Sequence, residues 1–176
     1  MSHVFLALSC IALIGAIAAQ DYLVPSLRNA TISSGLTGPY HWVLDGTYVV
    51  LAAALCIAFT RHHLMEALAV ISAIALILTA ATNTFWQYVD KLTNGQHSLW
   101  HSRFTIAVFV SALLLQIVGD KGKLWMITVA TVALPAAAYA YFHFYKATVE
   151  GISIAASPAA EKLYVLCLCV WLIVAR

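Results

Sequence analysis

Two histidines, His97 and His101, stand four residues apart in GQHSLWHSR. On a helix that spacing puts both imidazoles on one face, the arrangement by which two ring nitrogens share a metal ion. His41 and Asp45 repeat the interval in HWVLD, and a further histidine, His143, and a further acid, Glu161, occur downstream. These residue types suit zinc, with His97, His101 and either His41 or His143 as ligands. Asp45 or Glu161 would then be the catalytic base that takes a proton from metal-bound water. Haem ligation would use one histidine on each of two facing helices, and His101 with His143 is the better pair for it. The structural alternative has no chemistry in it: the histidines sit at a wet helix end, and Asp45 bonds Arg103 or a histidine to fix helix packing. An ionised carboxylate inside a membrane segment costs about 2.5–3.5 kcal/mol on insertion scales, so Asp45 needs some such partner.

The segments that position these residues are apolar. Of 176 residues, 63% are hydrophobic and 9% charged, where a soluble domain carries about 25% charged. With a mean hydropathy of +0.91, lipid must cover much of the exterior. The expectation is an all-α, polytopic membrane bundle forming one integral membrane domain over 1–176. Six nearly charge-free runs are candidate transmembrane helices, at about 1–20, 40–60, 64–87, 99–118, 124–145 and 158–175. The first run ends in AIAAQ, like a secretory cleavage site, but lacks the basic residue of a signal peptide and reads as a retained helix.

Short connections (RHH, GDKGK) alternate with longer ones, which predicts hairpins of the second with the third helix and the fourth with the fifth. Lys and Arg divide almost evenly: Arg61, Lys121, Lys123 and Arg176 on the short-loop side, Arg28, Lys91, Arg103, Lys146 and Lys162 on the other. The very short basic loops favour a cytoplasmic short-loop side, with both termini inside and the protein in a bacterial inner membrane. Trp42, Tyr40, Trp86, Tyr88, Trp100 and the run from Tyr139 to Tyr145 then form an aromatic belt at the long-loop interface.

His41, His97, His101, His143, Asp45 and Glu161 all fall on the long-loop side. Thr79, Asn83, Gln87 and Asp90 recur at steps of four, four and three, a polar stripe that should face the bundle interior or a hydrated pocket. Asn83, Gln87, Asp90 and Arg103 are the expected pocket-lining residues. Pro135 removes a backbone donor and predicts a kink before His143. Ser157 followed by Pro158 reads as a helix start that leaves Glu161 near the positive helix end, in reach of Lys162 or a histidine. Cys10, Cys56, Cys167 and Cys169 lie inside apolar runs and read as packing residues.

The segment HSLWH resembles the H-x-x-W-H stretch of alkaline ceramidase-type membrane hydrolases, which implies a metal-bound water held by histidines, an aspartate and a serine. Across the whole chain, the early long outer loop, Asp45-Gly46 opening the second helix and a histidine opening the fourth are similar to small six-helix proteins of the Frag/DRAM/Sfk type. That resemblance implies a six-helix bundle.

Two function classes stand against each other. The leading expectation is a non-catalytic accessory subunit or binding module with a polar His/Asp pocket on the extracytoplasmic side, partnered by the lipid bilayer and other membrane subunits; small residues along its spans suit close helix contacts. The alternative is a zinc-dependent intramembrane hydrolase of a lipid amide or ester, followed by a haem or quinone-linked electron carrier. The basic residues are too scattered to follow a phosphate backbone, which excludes nucleic acid as a partner.

Overall fold

A computed structural model describes residues 2–24, 32, 41–59, 63–119, 122, 124–141 and 156–175. Every regular element among the described residues is a helix: α1 (Ser2–Leu23), α2 (His41–Ala58), α3 (His63–Thr84), α4 (Trp86–Leu92), α5 (His97–Gly119), α6 (Trp125–Ala140) and α7 (Ala156–Val174). Four of them are long and apolar enough to cross a membrane, over His3–Leu23, His41–Ala58, His63–Thr82 and Leu99–Gly119. Large apolar side chains cover their outward faces, among them Leu8, Ile74, Ile77, Ile106 and Val110. In water such a surface would drive association; in a bilayer it meets chemically similar acyl chains. The chain is an integral membrane protein. At 16 residues the described part of α6 rises about 24 Å, short of the ~30 Å hydrocarbon core.

Several boundaries differ from the sequence expectation, each for a local reason. The apolar run expected to continue to residue 87 stops at Thr84, because Phe85 leaves the helical region at φ −109°, ψ 29°. Poor helix formers surround the break, and Thr82 turns its hydroxyl onto the Thr79 carbonyl at 2.8 Å. The short α4 then ends at Asn94 and Gly95, both at positive φ, residue types that adopt this conformation at least cost. At the other extreme, α1 runs past Gln20 and carries Asp21 within its last turn.

Helix packing follows a single arc. The strongest contacts join α3 to α5, α2 to α3, α6 to α7 and α1 to α2, with α1 also against α7. The order around the bundle is therefore α5–α3–α2–α1–α7–α6, and the arc closes only lightly where α5 would meet α6 and α7. The expected hairpin of α2 with α3 is present. The helices joined by GDKGK touch little, and α6 gives most of its surface to α7.

Close approach within the arc comes from small residues. Ala69, Ser72, Ala73 and Ala80 of α3 are buried, as are Ser111 and Ala112 of α5. Ser72 donates to Ser111 across this interface at 2.8 Å, a bond worth roughly 0.6–2 kcal/mol between membrane helices. The short-loop end is closed by large groups: Trp171 of α7 is fully buried, and an added Cβ on Gly119 of α5 would stand 2.9 Å from its ring and 2.8 Å from Met65 Cε. One turn earlier, Gln116 donates to the Thr131 hydroxyl of α6 at 3.3 Å, with both residues buried.

Candidate functional site: a groove and a cavity that meet at Glu161

Between α5, α6 and α7 lies a groove of about 410 Å³, within the roughly 300–1,000 Å³ of small-molecule sites. His101, Ser102, Thr105, Ile106 and Phe109 line it from α5, Pro135 and Tyr139 from α6, and Ala160, Glu161 and Tyr164 from α7. A second, enclosed cavity of about 40 Å³ sits at the centre of the bundle, with Tyr48, Ser72, Thr79, Thr105 and Glu161 among an otherwise largely apolar lining. That volume is room for roughly two or three waters. Thr105, Phe109 and Glu161 belong to both linings, so Glu161 stands between the bilayer-side groove and the bundle centre.

Glu161 does not pair with its neighbour in sequence. Its Oε2 accepts the backbone N–H of Ile32 at 3.0 Å, tying that residue to α7. Lys162 instead reaches Asp21 of α1, with Nζ at 2.7 and 2.8 Å from the two carboxylate oxygens. Successive residues on a helix diverge by about 100°, which sends Lys162 to the α1 face and Glu161 to the groove.

Asp45 is held by Thr84, whose hydroxyl donates to Oδ2 at 2.5 Å and links the first turn of α2 to the last of α3. Among the described residues no donor reaches its buried Oδ1. Arg103, the partner expected from sequence, is exposed and lies over the Trp100 ring at 4.9 Å. One helical turn sets that choice, since residues three apart on α5 are side-by-side neighbours.

His101 is half-buried, with Nδ1 3.0 Å from the Thr82 hydroxyl. Thr82 has one hydroxyl proton and gives it to the Thr79 carbonyl. The Thr82 hydroxyl thus joins the Thr79 carbonyl of its own helix to the His101 ring of α5.

The remaining expected residues are placed as follows. His41 opens α2, half-buried, one turn before Asp45. His97 lies on α5 as the helical spacing predicts, but its side chain, that of Asn83, and His143 lie outside the described residues. Gln87 is exposed and Asp90 half-buried on α4; neither of them, nor Arg103, is in the lining of the groove or the cavity. The break at Phe85 is the reason, because it separates Gln87 and Asp90 from the helix that carries Thr79. Among the described residues, no three of His, Cys, Asp and Glu converge as a metal site.

Sequence reasoning missed Ser102, Thr105, Tyr139 and Tyr164 in the groove. A signal for them existed: His101, Thr105 and Phe109 recur every four residues, as do Pro135 and Tyr139, and Ala160 and Tyr164. No family model, no curated protein and no solved structure matches the chain.

Proposed function

We propose that this protein is a non-catalytic binding module, or an accessory subunit of a larger membrane complex, with its polar pocket on the extracytoplasmic side. In this reading the chain crosses a bacterial inner membrane six times, α6 and α7 included, with both termini in the cytoplasm. The observation that carries it is the groove of about 410 Å³ meeting the central cavity at Glu161. Mostly apolar walls with a few converging polar groups are the ordinary constitution of a small-molecule site. The acid and the histidine that line it each serve a contact between segments: Ile32 with Glu161 and Thr82 with His101. Such bonds hold a site in shape.

A second reading, zinc-dependent hydrolysis of a lipid amide or ester, has one feature in its favour. One ring nitrogen of His101 is held by Thr82, and metal-ligating histidines commonly have one ring nitrogen held by such a bond. One measurement separates the two readings: metal content and the visible spectrum of gently purified protein, compared with the double variant His97→Ala/His101→Ala. The binding module is expected to show neither stoichiometric metal nor a visible band. About one zinc per chain, lost in the double variant, overturns it in favour of the hydrolase, and a haem absorption band overturns it in favour of an electron carrier.

A further inference from the structure

The corner where α4 leads into α5 carries positive charge that the protein does not neutralise. Arg103 stands four residues inside the membrane-spanning stretch Leu99–Gly119, about 6 Å along the helix from its outer end, and it is exposed. Among the described residues no carboxylate pairs with it; its contact is the Trp100 ring, whose centroid lies 4.9 Å from the guanidinium carbon. Lys91, exposed on α4, likewise has no carboxylate partner among the described residues. Lys162 differs, since its ammonium is given to Asp21 at 2.7 Å.

Trp100 accounts for where the Arg103 charge is held and leaves open what satisfies its donors. The ring also meets Phe104, with centroids 5.9 Å apart, so the guanidinium rests on a braced aromatic surface. A ring face attracts the charge but accepts few of the five N–H donors. At this depth a long basic side chain turns its head toward the lipid headgroups. The headgroup that matches a planar fork of donors is a phosphate, which takes two N–H bonds at once.

The short helix beside it has the matching pattern. At 100° per residue, Tyr88 and Leu92 fall about 40° apart around α4, with Lys91 about 60° to the flank and Asp90 on the far side. Exposure follows that arrangement: Tyr88 is 69% and Leu92 83% exposed, and Asp90 is half-buried. The helix touches α3 and α5 only lightly. An apolar face edged by a cation, on a helix just past the end of a membrane span, suits a segment lying in the headgroup layer.

We propose that the α4–α5 corner is a binding surface for an anionic phospholipid, whose phosphate is held by Arg103 on its Trp100 platform while Lys91 adds attraction and Tyr88 and Leu92 enter the interface. Two uncompensated cations favour a headgroup of net negative charge over a zwitterionic one, whose own cation they repel.

The test uses the full chain reconstituted in phosphatidylcholine vesicles with a phosphatidylglycerol that carries its photoactivatable group beside the headgroup. Saturable labelling is expected on the segments around Lys91 and Arg103. Unlabelled phosphatidylglycerol should compete about fivefold better than phosphatidylcholine, the gain from one basic side chain at an anionic surface, and inorganic phosphate should not compete. Arg103→Gln, at an exposed position, should remove that preference, and Lys91→Gln should weaken it less. Arg103→Lys should recover part of it, because the charge remains without the fork. Equal competition by the two lipids, or a preference unchanged in Arg103→Gln, overturns the proposal. Displacement of the label by inorganic phosphate also overturns it, by making the ligand a free anion.

Discussion

At the scale of single residues, threonine decides what the ionisable groups do. Thr84 donates to Asp45 and Thr82 is hydrogen-bonded to the His101 ring, and both bonds connect α3 to a neighbour. A hydrogen bond to a carboxylate is worth about 1.5–3 kcal/mol, and removing the donor leaves the acid to find another. Thr84→Val is therefore expected to lower the stability of the detergent-solubilised protein by roughly 1–2 kcal/mol, because Thr84 itself is exposed and part of the loss is recovered by solvent. Thermal melting monitored by circular dichroism checks it; an unchanged midpoint would mean that Asp45 does not depend on this bond. The acid was legible in the sequence as a residue in need of a partner. The partner was not, since a threonine in an apolar run carries no mark of which helix it will face, and the arginine that looked complementary prefers the aromatic ring on its own helix.

At the scale of elements, the spacing of the histidines and the lengths of the apolar runs carried real information. The interval of four from His97 to His101 is helical, and all six expected segments begin within two residues of the start of an observed helix. The exception in kind is the run through Phe85, where hydropathy stays high while the backbone leaves the helix; a hydropathy pattern reports burial or lipid contact and is blind to a single turn. Close packing at the short-loop end depends on another feature that composition hides. Gly119→Ala would drive a methyl group against the Trp171 ring, which is buried and cannot swing away as Met65 Cε can. A loss of about 1–3 kcal/mol is expected, with recovery when Trp171→Phe is added to shorten the ring. Equal melting midpoints for the wild type and Gly119→Ala would show that α5 and α7 do not hold this contact.

At the scale of the whole molecule, the described helices form an arc with large packed groups at one end and the groove and cavity toward the other. Trp171, Met65 and the Gln116–Thr131 bond close the short-loop end, and the groove and central cavity occupy the long-loop end. With an inward short-loop side, a cysteine replacing the exposed Gln96 is expected to react with an impermeant maleimide added outside intact cells, and one replacing Lys123 only after the membrane is opened. The native thiols give little background, since Cys10, Cys167 and Cys169 are buried and Cys56 is half-buried. The reverse labelling would turn the proposed orientation over and place the groove on the cytoplasmic side.

The sequence by itself determined that this chain is helical and lives in lipid, because long charge-free runs admit no other way to satisfy the backbone in a bilayer. It also determined which polar residues share one end, because alternation of helix direction sorts them without any knowledge of packing. Only the tertiary structure decided which helices are neighbours, and with that everything specific about the site. In lipid the apolar faces of Leu-, Ile- and Val-rich helices are nearly interchangeable, so the choice of partner falls to small residues and a few hydrogen bonds. Ser72 with Ser111, Thr84 with Asp45 and Lys162 with Asp21 made that choice here. The light contact between α5 and α6, with the groove lined by Glu161 beside it, follows from it.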